Sequence, residues 1–474
     1  MPIGLVAAFL LSATADPVAV RQVPQYTLHY DAPSETLAVR LCLPNPAQSV
    51  HFSADDDAPK YIEGMSRDNA AAPKRDGEGW IATDWHAGEC LAYRAALGRI
   101  VDSGRRSGGA RHGKSLVLDP TLWLLRVDAI DDAAEVRVEL PAGFSISAPW
   151  HPLPSTDGTK RFTIPRTPDD WMARVAIGPF DEKPVAIAGG TLRVAIVDGA
   201  DVALRSKLET WLSHVTQAAI SAYGKLPLAD VQLLIVPVPA EREPVVFGQS
   251  TRGEGHGVTL FVDATQSAAA FDRDWVAVHE LSHLFHPYLG DRGSWLAEGL
   301  ATYYQNVLRA RAGLLTPAQA WEQIDAGFDR GRRATRPADI TLQAAAEAEG
   351  QHPNFMRIYW AGTAFWLEAD LELRRASGNR LSVDEAMRRF DACCLPSYRA
   401  WQPGEFIDKL DALLGTDVFR KRFVEFRDAH AFADLAPTYR DLGITHAADT
   451  LTYDDKAPAA DVRRAIMTPS ARSE

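Results

Sequence analysis

Residues 279–283 read His-Glu-Leu-Ser-His, and Glu298 follows after a turn-like break. Two imidazoles and two carboxylates at this spacing are groups that hold a divalent metal and move a proton beside it. On a helix, residues four apart share a face, so His279 and His283 can converge on one ion. Glu280 is offset around the helix and reaches a metal-bound water without taking a ligand position, as the H-E-x-x-H zinc motif requires. With 13 histidines in the chain, chance would produce this motif roughly 0.02–0.03 times on composition alone.

A catalytic zinc takes three protein ligands and keeps a fourth position open, so one ligand remains to be found. His286 lies about 10.5 Å beyond His279 along a straight helix, too far for two atoms that each sit ~2 Å from one ion. It also precedes Pro287, which disfavours helical backbone, and it reads as a helix-end or pocket residue. His256 lies on a Gly-rich loop and reads as a solvated loop histidine. Glu298 is better placed. The segment LGDRG interrupts the first helix, Ser294 is a plausible N-cap, and WLAEGLATYYQNVLRARAG restarts a helical pattern. Two helices joined by a short turn pack together, so an early carboxylate in the second faces the histidines of the first. The expected site is one Zn2+ per chain on His279, His283 and Glu298.

The elements that position this cluster follow from periodicity. Up to about residue 185 the chain alternates apolar and polar residues between turn signals, as in YTLHYD, TLAVRLCLP, AEVRVELP and RFTIP. That predicts an antiparallel β-sandwich, with RSGGARHGK as an exposed loop. TLRVAIVDG, VQLLIVPVP and GVTLFVDA then read as strands around a helix bearing Leu208, Leu212, Val215 and Ala219. The HELSH helix follows, and beyond Ala301 the chain is almost wholly helical. The expected layout is multi-domain: leader 1–15, β-rich domain 16–188, α/β catalytic subdomain 189–305, helical subdomain 306–445 and tail 446–474.

Composition narrows the partners. The net charge of −12 over 474 residues argues against nucleic acid, whose phosphates need basic patches. No apolar run is long enough to span a membrane. MPIGLVAAFLLSATADP has an apolar core and a small-residue end, which predicts a signal peptide cleaved after Ala15 and a secreted or periplasmic protein. In an oxidising compartment Cys42 and Cys90 could pair. The adjacent Cys393 and Cys394 leave bridging or reduction open.

With these residues placed, the chain resembles the gluzincin peptidases, the thermolysin-like zinc enzymes, and among them the glycyl aminopeptidase family. It is more distantly similar to the alanyl-type aminopeptidases. HELSH with SWLAEGLATYY resembles the zinc helices, AYGKLPLADVQLLIVPVP the segment before the substrate strand, and IYWAGTAFWLEADLELRRAS the stretch holding the family's transition-state tyrosine. LLGTDVFRKRFVEF resembles the C-terminal helical region. The likeness spans about residues 200–445. It implies a thermolysin-like α/β zinc-peptidase domain with a helical C-terminal part, a peptide or protein substrate, Glu280 as general base and Tyr359 as oxyanion donor. The family's amine-binding glutamate aligns with Glu254 in TRGEGHGVTLF, which otherwise reads as a solvated loop residue. The stretch from His283 to Glu298 is shorter than in the alanyl-type enzymes. The rival reading is a non-catalytic zinc-bearing protein, against which Glu280 stands, since it has no part in holding the metal.

Overall fold

The computed structural model describes residues 23–469 except 69, 78, 105–107, 129–132, 157, 199–200, 336–339, 349–354 and 448–449. The leader expected over 1–15 lies outside the described residues. Alternating burial builds the N-terminal region. In Gln25–Asp31 the side chains of Tyr26, Leu28 and Tyr30 point inward, and in Thr36–Cys42 those of Leu37, Val39 and Leu41 do. These strands sit in a seven-stranded sheet beside a four-stranded one, with Leu28, Leu41, Phe52, Trp85, Trp123 and Trp150 between them. Pairing is antiparallel among these strands except for Gln25–Asp31 with Ala134–Glu139, which is parallel. A disulfide joins Cys42 to Cys90, which face each other across neighbouring strands. The segment expected as a loop around 106–114 instead contains a strand, Gly109–His112, paired with Ser115–Leu118.

A five-stranded sheet follows, in the order Glu182–Ile187, Gly190–Ile196, Asp230–Val238, Gly257–Asp263, Val245–Thr251. The middle three strands are parallel and both edges antiparallel. One face is covered by the helix Val202–Ile220 through Leu208, Trp211, Leu212 and Val215. On the other face Ala195, Leu234 and Val236 meet Val117 and Ala176 of the N-terminal region. The strand Val245–Thr251 forms the sheet edge and runs beside the HELSH helix.

The remainder is helical and shares one core with the metal helices. The stretch expected as a tail carries a hairpin (Ile444–Ala447 with Thr450–Tyr453) and a helix (Ala460–Ile466), and Leu451, Val462 and Ile466 join that core. Cys393 and Cys394 are bonded to each other. Among the described residues, no helix is long and apolar enough to cross a membrane.

Candidate metal centre and cleft

The first metal helix spans Val276–Ser282, and Asp274 fixes its start. The Asp274 carboxylate accepts the N–H groups of Val276 (3.1 Å) and Ala277 (3.0 Å), two of the donors a helix start leaves unpaired. Burial pushes the Asp274 carboxyl up to about 6 in spite of these bonds. The chain continues as a 3-10 turn over His283–Phe285, so His283 sits where the helix tightens rather than inside a longer α-helix. His286 is extended, as its place before Pro287 predicts.

Glu298 lies in the first turns of the second metal helix, Ser294–Arg311. Its Oε2 is 3.1 Å from His279 Nε2 and 3.5 Å from His283 Nε2. One donor atom from each of the three lies within 4.8 Å of the others. Ligand atoms ~2.0–2.2 Å from a tetrahedral zinc stand roughly 3.4 Å apart, so the residues fit the ion. Ser294 is not the N-cap expected of it. It is the first helical residue, Gly293 holds the cap position, and the Ser294 hydroxyl is buried without a partner among the described residues.

The ring nitrogens facing away from the ion site set the histidine tautomers. His279 Nδ1 meets Gln305 Oε1 at 2.9 Å, and an amide oxygen only accepts, so Nδ1 carries the proton and Nε2 offers its lone pair. His286 Nδ1 donates to the Pro287 carbonyl at 2.7 Å. Burial holds the His286 imidazole well below its ordinary pKa and therefore neutral. Its Nε2 must then accept from His283 Nδ1, 3.1 Å away, which frees His283 Nε2 as a ligand. Arg252 fixes the backbone of the same turn by donating to the His283 carbonyl at 2.6 Å. Burial alone would raise the Glu298 carboxyl, but the two imidazoles hold it well below the usual carboxylate range. Burial likewise opposes a charge on His279, and its contact with Glu298 raises it nonetheless.

His279 and Glu280 open onto a cleft of about 880 Å3, lined also by Gly248, Trp275, Gln305 and Tyr359. The edge strand closes on Glu280: a Cβ on Gly248 would stand 2.5 Å from Glu280 Cγ and 2.9 Å from its Oε1. Ser250 Oγ donates to the Glu280 carbonyl at 2.7 Å. The Tyr359 ring stands edge-on to His279, with centroids 5.9 Å apart. Two glycines bring it there. A Cβ on Gly299 would meet the Gly362 backbone at 2.4 Å, and one on Gly362 the Trp295 carbonyl at 1.9 Å. The second metal helix and the long helix Phe355–Ser377 therefore cross backbone to backbone, which sets Tyr359 one turn from the crossing. Tyr303 and Tyr304 have other work, donating to the buried carboxylates of Asp370 (2.8 Å) and Asp384 (3.1 Å).

The structure does not bring Glu254 to this cleft, nor does it leave it solvated. Beyond Thr251 the chain presses against the N-terminal region, where Cβ atoms on Gly253 and Gly255 would meet the Trp171 and Pro149 carbonyls at 2.2 and 2.0 Å. Glu254, with φ +58°, turns away from the metal and accepts from Trp150 Nε1 at 2.7 Å. It is 2 % exposed, and burial raises its carboxyl. His256 is buried as well, beside Tyr398, and chiefly through burial its imidazole falls to about 3. Sequence reasoning passed over Gln305, Gly248 and Arg252 and gave His286 no task. Gln305 had a signal, standing seven residues beyond Glu298 on the same helical face. Gly248 had none without the strand register.

A sequence profile of the M61 glycyl aminopeptidases matches residues 280–364, which include Glu280, His283, Glu298 and Tyr359. No curated protein matches the chain. Among solved structures, an aminopeptidase N family protein from Idiomarina loihiensis superposes with TM-score 0.68 at 14 % identity, over 89 % of this chain and 79 % of that one. The M1 zinc metallopeptidase from Deinococcus radiodurans gives 0.55 at 15 %, over 87 % and 94 %. Yeast LTA4 hydrolase gives 0.53 at 12 %, over 89 % and 70 %. In profile and in fold the chain is similar to the gluzincin aminopeptidases, with a β-rich N-terminal region followed by the metal helices and a helical C-terminal part.

Proposed function

We propose that this chain is a zinc-dependent metallopeptidase that hydrolyses peptide bonds. The observation that carries the reading is the convergence of His279, His283 and Glu298 with a fourth group, Glu280, on the cleft wall. Bound there, zinc would supply a Lewis acid and a water that deprotonates near neutral pH. Glu280 takes that proton and passes it to the leaving amine. The Tyr359 phenol donates to the oxygen on which charge develops. Gln305 and His286 hold the ligand tautomers, and the Gly248 strand keeps Glu280 in position. A non-catalytic zinc protein would not need Glu280 in the cleft.

Aminopeptidase activity is the finer reading, supported by the profile match and by the fold. If a free amine is recognised, Glu254 is not the group that does it. Of the other carboxylates lining the cleft among the described residues, Asp274 is tied to helix N–H groups and Glu280 to proton transfer, which leaves Glu243 and Glu322. We also read the chain as exported, on the leader pattern and the Cys42–Cys90 bridge, and as divided near residue 188. The boundaries expected at 305 and 445 fall inside the helix Ser294–Arg311 and the strand Ile444–Ala447, whose residues share one core.

The test is metal analysis with turnover on peptide mixtures. One zinc per chain is expected, lost on His279→Ala. Glu280→Gln should keep the metal and the fold while turnover falls by about 10²–10⁴. Near wild-type turnover in zinc-loaded Glu280→Gln would overturn the mechanism.

A further inference from the structure

The walls of the cleft differ in character. Among the described residues most large apolar side chains are buried, and few remain open to solvent. Four of those few line this one cleft: Val246 (44 % exposed), Phe247 (54 %), Trp275 (47 %) and Met356 (39 %). They arrive from three separate elements: the edge strand, the turn entering the first metal helix, and the start of the long helix. Single exposed apolar residues are ordinary on a protein surface, but several drawn from separate elements onto one cleft mark a binding surface.

One member of the group reaches a metal-ligand position directly: the Trp275 ring stands edge-on to His279 with centroids 5.8 Å apart. Phe247 is set apart, because its ring leans on Phe261 at 5.9 Å, while Gly248 beside it faces Glu280. Deeper in the cleft the polar side chains are partly engaged, with Arg309 Nε and Asn306 Oδ1 buried without a partner among the described residues. Arg309 donates to the Arg273 carbonyl (2.7 Å) and to Gln323 (3.3 Å), and Asn306 donates to the Thr302 carbonyl (3.1 Å).

We propose that Val246, Trp275 and Met356 form an apolar subsite that receives a large apolar side chain next to the scissile bond. The proposal rests on the peptidase reading and adds a substrate class to it. A glycine or alanine at that position leaves the three side chains in water. A phenylalanine, leucine or methionine covers them and gains the corresponding transfer free energy. The expected preference therefore runs opposite to one for glycine.

The experiment uses the full zinc-loaded chain and a peptide set in which each residue flanking the cleaved bond is varied in turn. The wild type should favour Phe, Leu and Met over Gly and Asp at one flanking position by about tenfold to a hundredfold in kcat/KM. Met356→Ala and Trp275→Ala should each collapse the Phe-to-Gly ratio. Trp275 opens the metal helix, so Met356→Ala carries the test if Trp275→Ala does not fold. A readout without turnover is the binding of phenylalanine and glycine hydroxamates to zinc-loaded Glu280→Gln, where Met356→Ala should erase the advantage of the aromatic ligand. Cleavage with no apolar preference, or a Phe-to-Gly ratio unmoved by Met356→Ala, overturns this inference and leaves the peptidase reading standing. No cleavage of any peptide by zinc-loaded protein overturns both.

Discussion

The two metal helices and the strand and loop that border them are built on different periods, and they direct their side chains in different ways. On the helices, His279 and His283 are four apart, and Glu298 and Gln305 seven apart, and each pair shares a face. On the edge strand, neighbours face opposite ways. Gly248 and Ser250 meet Glu280, while Phe247 and Gln249 meet Phe261 and Arg174 on the far side. Past Thr251 the loop docks on the N-terminal region and takes Glu254 with it. A spacing on a helix fixes where a side chain goes. On a strand the same spacing leaves two answers until the register is known.

The largest break in the helix side of this comparison is Tyr359→Phe. It deletes one hydrogen-bond donor and keeps the ring beside His279. Loss of a single preorganised oxyanion donor lowers kcat by about 10²–10³, and kcat and kcat/KM should fall together if the donor acts mainly in the transition state. Steady-state kinetics with thermal melting as the folding control checks this. An unchanged kcat in zinc-loaded, folded Tyr359→Phe would return the residue to packing.

This division explains what was legible beforehand. His279, Glu280, His283 and Glu298 could be read because the i, i+4 spacing and a short turn leave little freedom. The β-rich first part and the helical end were legible from alternation and periodicity, although the parallel pairing of Gln25–Asp31 with Ala134–Glu139 was not, since period-two alternation is the same for both directions. The Glu254 assignment failed because aligning a Gly-rich loop with a strand motif assumes a register. Gly253 and Gly255 are present for close contact with residues 149 and 171, a contact far away in sequence. The close crossing of Gly299 and Gly362 was hidden for the same reason.

Asp274 tests the start of the first metal helix through pH. Its carboxyl rises from an ordinary 3.8 to about 6 in the folded chain. Between those values the folded state holds a proton that the unfolded state has released, so stability falls as pH rises. The contribution is full below about pH 4 and lost as pH passes through about 6, a difference of ~3 kcal/mol. The difference in urea midpoint between the wild type and Asp274→Asn should be constant below about pH 4, change as pH rises to about 6, and level off above it. Parallel curves would remove Asp274 as the source.

Gly248 tests the strand side where it touches the chemistry. Gly248→Ala places a methyl 2.5 Å from Glu280 Cγ and 2.8 Å from Val276 Cγ1, so Glu280 must shift. A misplacement of about 1 Å can lower a rate by ~10²-fold. The expected result is a lower kcat with zinc content unchanged. Undiminished turnover would mean that Glu280 tolerates the displacement.

Glu254 gives the smallest effect, and it separates the two sides most cleanly. As an amine-binding residue it would raise KM for unblocked peptides when replaced, with little change in stability. As placed, its carboxylate accepts from the buried Trp150 indole, and its backbone N–H donates to Thr167 Oγ1 at 3.0 Å. Glu254→Ala keeps the backbone bond and leaves the indole N–H without its acceptor, which costs about 1–3 kcal/mol. Glu254→Gln retains an acceptor oxygen and should recover most of that loss, because burial already disfavours the charge. Denaturant unfolding of both variants, beside kinetics on free and N-acetylated peptides, reads the two outcomes in one set of measurements. Lowered stability with the free-to-acetylated ratio unchanged would confirm that the residue joins the loop to the N-terminal region. A selective loss on free-amine peptides, at full stability, would instead require the loop to leave Trp150 and enter the cleft.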